Sequence, residues 1–477
     1  MLLDAEQRHD GWFKEVIFDV CICGAGPAGI TLARALAGKG RRVALMEAGG
    51  LEASAQSQVL YQGRNAGLPY YPLDTCRLRY FGGTSNHWGG YTRPLDARDF
   101  GPLAQHPFNE WPIKKPDLDP YAERTAEILD LPGQQPPLDV FGGQEDSLEP
   151  SVYRVSPTRF GPKYQDELAR SDRISLYLNA NLVDIELDSS LRSVSGLVFR
   201  SYLRDQPFRV RARQFVVCCG GLENARLLLN ANRQLPRGIG NQHDLVGRFF
   251  CEHLEIDVGR ALMASPPSAL NFYIASDRLI SDRRCLSFEV ELLPLERTEP
   301  SCALPFPERL SRALLEPARA CFDAVVIAVV GQSVNGDSRV MLANEVDRFG
   351  LRRLALDWHL ADIDRLTLRI AAEVTGRAMA RHDAGRVRLD PWVTDAEQEV
   401  PLSEEAGGSC HHMCTTRMSH DPKTGVVDRD CRVHGIENLY MGGSSVFASP
   451  GVSNPTFTIV QLALRLGDHL DARLDKG

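Results

Sequence analysis

VIFDVCICGAGPAGITLARALAGKGRRVALMEAGG, residues 16 to 50, decides the fold. The run from Val16 to Cys23 is rich in apolar and β-branched residues, as a buried parallel strand requires. Gly24, Gly26 and Gly29 then mark a tight turn, a helix is expected over about 27 to 38, and a second strand, Arg42 to Met46, ends in Glu47. Glycines spaced GxGxxG between a strand and a helix have separate tasks: the sharp turn, backbone approach to a pyrophosphate, and close packing of helix on strand. The helix N-terminus then faces the phosphates. Glu47 closes the second strand, where a carboxylate accepts hydrogen bonds from a ribose diol and repels a 2'-phosphate, so FAD or NAD is favoured over NADP. The plain alternative is a strand-to-helix turn without a nucleotide. The strand before, the helix after and the acid in place all weigh against it.

A chain of 477 residues exceeds the size at which a single core keeps growing, so two or more structural units are expected. With 43% hydrophobic and 24% charged residues the composition is that of a globular enzyme. A net charge of -8 without a Lys/Arg run argues against nucleic acid or an anionic membrane as the partner. The longest apolar run, AVVIAVV at 324 to 330, is too short to span a bilayer, and the N-terminal MLLDAEQRHDGWFKEV has charges where a signal peptide needs an apolar stretch. A cytoplasmic protein without a membrane span is the expectation. The twelve cysteines form no dense framework, and Cys21, Cys23, Cys218 and Cys219 lie inside apolar strand-like runs. In a reducing compartment they are expected as free thiols packed as small hydrophobes, and adjacent Cys218 and Cys219 point to opposite faces of a strand.

Further along, residues 178 to 200 alternate apolar and polar as a hairpin does, and RARQFVVCCGGLENARLLLN (211 to 230) gives strand, Gly220-Gly221 turn and helix. Residues 261 to 404 carry strand and helix patterns of their own, including SRVMLANEVDRFGLRRLALDWHL (338 to 360), and read as an inserted second unit. The Pro-rich stretch 132 to 143 reads as a surface loop. The expected class is α/β (α+β overall), with a Rossmann-type nucleotide domain and an inserted sheet-and-helix unit.

Six blocks, in order, resemble the glucose-methanol-choline (GMC) oxidoreductases, a family of FAD enzymes. They are GAGPAG (24 to 29), RYFGGTSNHWGGYTRPLDARDF (79 to 100), WPIKKPDLDPYAERTAEIL (111 to 129), FVVCCGGLENARLLL (215 to 229), GNQHDLVGRFFCEH (240 to 253), and a C-terminal block. The last comprises SCHHMCTTRM (409 to 418) and the run from Gly425 to Leu470 containing SNPTFT. The resemblance implies a discontinuous FAD-binding domain over 15–78, 175–260 and 405–477, an FAD-covering and connecting segment over 79–174, and a substrate-binding domain over 261–404.

SCHHMC puts two histidines and two cysteines close together, which raises the question of a metal site. Consecutive residues cannot all turn their side chains to one ion, and no second cluster supplies further ligands at zinc spacing. No metal is expected. The resemblance instead places His411 over the flavin as the catalytic histidine, with its neighbour His412 ranked second, and gives Asn454 the family's second active-site position, held by either His or Asn. As Asn before Pro at a helix start, Asn454 also suits a cap. The resemblance carries FAD contacts onto Gly24, Ala25, Gly26, Gly29, Glu47, Gly83, Asn86, His87, Val183, Gly443, Ser444, Asn454, Pro455 and Thr456. The S-N-H-W around His87 is close to the S-T-H-W whose histidine is joined covalently to the flavin in the pyranose-oxidase branch; the alternative for His87 is a packed cavity wall. Arg417 is expected to bond its own loop, and Glu252 and His253 to brace a domain junction. Cys414 stands where the family more often has glycine.

Alcohol oxidation by a flavin needs a base within hydrogen-bond reach of the hydroxyl, and histidine titrates near neutrality. The resemblance therefore implies oxidation of a CH–OH group of a sugar, glycoside or other alcohol by hydride transfer to FAD, with His411 as base and Asn454 orienting the hydroxyl. Oxygen, a quinone or a protein would reoxidise the flavin. The alternative within the superfamily is an FAD-containing lyase without redox turnover.

Overall fold

A computed structural model describes residues 1–7, 16–102, 110–134, 136, 139–141, 146–204, 206–264, 272–295, 322–405 and 407–476. The expected loop at 132 to 143 falls partly outside these residues, as does part of the N-terminal stretch.

The apolar run opens as strand Ile17–Cys23, the helix spans Pro27–Ala37 (α1), and the next strand is Val43–Met46. These form the centre of an eight-stranded sheet. Its order is Leu2–Asp4, Ile174–Leu178, Val43–Met46, Ile17–Cys23, Phe208–Val217, Val194–Arg200 and Asn181–Leu187, with Leu439–Met441 also paired in parallel to Phe208–Val217. The first five of these strands run parallel, and the hairpin read over 178 to 200 closes the sheet as two antiparallel strands. The long C-terminal helix Thr456–Lys476 (α2) lies along α1, where Gly467 meets Ala35 closely enough that a Cβ would stand 3.2 Å away. Arg41 bonds Asp471 at 2.6 Å, and Lys39 reaches Asp468 at 3.2 Å.

A second, antiparallel sheet runs in the order Gly385–Leu389, His253–Met263, Phe322–Gly331, Phe288–Pro294, Phe272–Ala275 and Leu148–Ser151. The apolar run AVVIAVV is its central strand. Period-2 alternation gives the sheet two unlike faces. Leu254, Ile256, Val290, Leu292, Ala328 and Val330 lie on the face covered by helix Asp362–Arg381. The opposite face holds a row Glu255, Val329, Glu289, Ile274 and a row Asp257, Ile327, Glu291, Phe272, and by the same parity His253 ends it.

Two features depart from the sequence reading. Strand His253–Met263 crosses residue 260, so the second sheet begins earlier than the expected insertion. The hairpin Arg339–Val346 and Arg352–Asp357 joins neither large sheet but pairs in parallel with Gly63–Asn65. Buried Arg226 fixes it from below, bonding Asp347 at 2.6 Å and Glu223 at 2.7 Å.

Candidate active site

A cavity of about 830 Å³ runs from the glycine turn to the two histidines. At its first end Gly24 has φ +95, and a Cβ there would lie 2.5 Å from the Cys218 carbonyl oxygen. A Cβ on Gly29 would meet the Gly24 carbonyl oxygen at 1.9 Å, so Gly29 packs helix against turn and does not line the cavity. Gly26 caps α1, and its face is open. Glu47 lines the cavity, accepting from the Ala25 amide at 2.9 Å and the Gly49 amide at 2.8 Å. Burial raises its pKa, and hydrogen bonds and nearby Arg79 work the other way. An open crevice of this shape at a helix N-terminus, with a carboxylate at the end of the second strand, fits a dinucleotide such as FAD.

Ala25, Gly83, His87, Gly443, Ser444, Pro455 and Thr456 line the same cavity. Val183 does not. Its neighbours Ala180 and Leu182 do, because alternation turns Leu182 inward and Val183 away. Asn86 is turned into its own loop, accepting from the Gly161 amide at 2.9 Å and donating to the Phe81 carbonyl at 2.8 Å. The His87 ring is exposed on the wall, edge-on to Tyr80 with centroids 6.1 Å apart, and Trp88 donates to the Thr158 carbonyl.

The far end is assembled from three distant segments. The loop holding His411 and His412 is pinned by Met413, which exchanges backbone hydrogen bonds with Cys251, and by the Ser444 hydroxyl, which donates to the His412 carbonyl at 2.6 Å. Gly221 has no side chain to spare, since a Cβ would stand 2.0 Å from that carbonyl oxygen. Asn454 Nδ2 lies 3.4 Å from His411 Nε2, and His253 Nδ1 faces His411 Nδ1 at 3.0 Å. Glu252 accepts from both the His253 and His411 amides, at 2.9 and 2.7 Å, and from the Tyr70 hydroxyl. Burial holds His411 far below the ordinary imidazole range, helped by His253 and His412, and pushes His253 down to about 4. A neutral imidazole at the end of a cavity can accept a proton.

His412 turns elsewhere, packing edge-on to Tyr70 at 5.9 Å and tilted on Phe250 at 6.1 Å, with Nε2 buried and unpartnered. A hydrogen bond from Cys410 lowers the Cys76 thiol, and His412 lowers it further, against the effect of burial. Arg417 lies over the Phe249 ring at 5.0 Å and donates to the Thr424 carbonyl at 3.3 Å. The ten described cysteines are free thiols, and among the described residues no three His, Cys, Asp or Glu are grouped to hold a metal. No helix among those residues is long and apolar enough to cross a membrane.

His253 is the contact that sequence reading missed. Nothing in one sequence says that residue 253 meets residue 411.

Residues 335–463 match the family model described as GMC oxidoreductase. Over 96% of its length the chain is 26% identical to 6'''-hydroxyparomomycin C oxidase of Streptomyces lividus, covering 92% of that protein. It is 29% identical to paromamine 6'-oxidase of Streptomyces fradiae over 54% of this chain and 45% of that one. The fold matches a crystal structure of pyridoxine 4-oxidase from Mesorbium loti with TM-score 0.58 at 17% identity, covering 95% of this chain and 99% of that one.

Proposed function

From a chain that belongs to the GMC oxidoreductases, we propose an FAD-dependent oxidase or dehydrogenase that oxidises a CH–OH group of a sugar, glycoside or other alcohol. The observation that carries this reading is His411, which lines the end of the cavity that begins at the glycine turn, with its Nε2 3.4 Å from Asn454 Nδ2 behind the lining. When bound, FAD supplies a hydride acceptor. The Gly24–Gly26 turn would hold the pyrophosphate, Glu47 the ribose, and Pro455 with Thr456 the pyrimidine end. His411 Nε2 accepts the hydroxyl proton, and Asn454 donates to the hydroxyl oxygen and fixes its direction. The division into an FAD-binding domain, a covering segment and a substrate-binding domain belongs to the same proposal, with the substrate-binding part built on the second sheet.

The names of two relatives, with the acidic sheet face beyond His411, support a substrate that bears amines as well as hydroxyls. Glu289 is buried beside Arg93 and Ser151, whereas burial, with Glu255 adding, pushes Glu291 up to about 7, so Glu291 would gain from an ammonium partner. Oxygen, a quinone or a protein takes the electrons onward.

The test is anaerobic mixing of the flavoprotein with paromamine or D-glucose. Bleaching of the flavin by either is expected, and His411→Ala should slow it by roughly 10²- to 10⁴-fold, the usual contribution of a positioned base. A flavin that stays oxidised with both would favour the lyase alternative. Acid precipitation of the same preparation separates the two readings of His87: flavin in the pellet makes it the covalent anchor, and flavin in the supernatant leaves it as cavity wall.

A further inference from the structure

We propose that His253 is a positioning residue that selects the tautomer of His411 able to act as a base. The inference rests on the reading of His411 as the base. The two rings stand nearly perpendicular, at 85° with centroids 5.0 Å apart, and their Nδ1 atoms face one another at 3.0 Å. Two imidazole nitrogens at that distance bond only if one carries a proton and the other a lone pair. Two arrangements of neutral rings satisfy this. With the proton on His253 Nδ1, His411 must carry its own on Nε2, the atom that should receive the substrate proton. With the proton on His411 Nδ1, Nε2 presents a free lone pair.

The contact with Asn454 selects the second arrangement. The Asn454 amide nitrogen, 3.4 Å from His411 Nε2, can only donate there. A His253 with its proton on Nε2 turns a bare Nδ1 to His411. Glu252 holds both backbones in place through their amides, so the contact is built and not incidental.

When His411 accepts the hydroxyl proton on Nε2 it becomes a cation, and its Nδ1–H bond to His253 becomes charge-assisted and stronger. The ionisable groups around the pair are Glu252 behind the amides, Tyr70 and His412 beyond it, Glu255 one position along the sheet face, and Asp99, whose carboxylate lies against Gly451.

The test combines kinetics with a readout that needs no substrate. In 15N-histidine NMR of the holoenzyme, His411 should carry its proton on Nδ1, and a proton on Nε2 would overturn the proposal. In anaerobic flavin reduction, His253→Phe, which removes the acceptor but fills the space, should lower the limiting rate about 100-fold with substrate affinity nearly unchanged. His253→Gln, whose carbonyl can accept from Nδ1–H, should recover to within about tenfold of wild type. Equal loss in both variants would assign His253 a merely structural role. A wild-type rate in His253→Phe, with His411→Ala still slow, defeats this inference alone; a wild-type rate in His411→Ala defeats the base reading first. Should the Phe variant not fold, the Gln variant and the NMR signature decide.

Discussion

The two ends of the cavity are built in opposite ways. The nucleotide end comes from one continuous strand–turn–helix–strand run, in which Gly24, Gly26, Gly29 and Glu47 answer to each other through local geometry. The histidine end, proposed above as catalytic, brings His411 to a partner 158 positions earlier and another 43 positions later. In the first, sequence spacing is itself the structural constraint. In the second, the constraint is tertiary, and spacing carries no information about it. Substitutions should therefore fail differently at the two ends: at the first by loss of cofactor and fold, at the second by loss of rate in an intact flavoprotein.

Gly29→Val is the sharpest way to break that contrast, and has the largest expected effect. Its Cβ would lie 1.9 Å from a backbone oxygen that cannot move without undoing the turn. The cost should exceed the ~1–3 kcal/mol of ordinary core overpacking. Expression should yield no yellow, folded protein; a variant that purifies with full flavin absorbance would show that the turn is not rigid.

What could be read beforehand follows the same line. The parallel sheet, α1, the 178 to 200 hairpin and the strand–turn–helix after Arg211 were all legible, because each rests on periodicity or on turn residues within a few positions. The pairing of Arg352–Asp357 with Gly63–Asn65 was not, since an amphipathic hairpin records that it has a buried face but not which strand covers its edge. Leu182 in place of Val183 is a miss of one residue, which on a strand reverses the direction of the side chain. His412 follows His411 directly, but its ring is taken up by Tyr70 and Phe250, which adjacency in sequence does not reveal.

The acidic sheet face offers a second, smaller test, now of affinity. Glu291→Gln keeps the shape of the face and removes one charge. The KM for paromamine should rise about tenfold, the size of one charge-assisted hydrogen bond, while that for D-glucose stays the same. The pH dependence follows from the sign of the shift. With its pKa pushed up to about 7, Glu291 is a carboxylate above that pH and loses its charge as pH falls through it, so the preference for the amine should weaken below about 7 in the wild type and be flat in the variant. Equal KM changes for both sugars would remove Glu291 from amine recognition.

The smallest effect is expected at Cys414, where a thiol occupies a left-handed backbone position. Its φ of +69 lies in the left-handed region, which costs an L-residue roughly 1–2 kcal/mol and glycine little. The side chain is fully buried, so its removal gives up burial worth on the order of 1 kcal/mol. The two terms oppose each other and are of similar size. Cys414→Gly should thus change unfolding free energy by no more than about 1 kcal/mol, measured by denaturant titration of the holoenzyme, with flavin reduction unaltered. A large loss of stability would mean that the Cys414 side chain holds the His411 loop in place, and that end of the cavity would then depend on a packing contact that the backbone conformation alone does not explain.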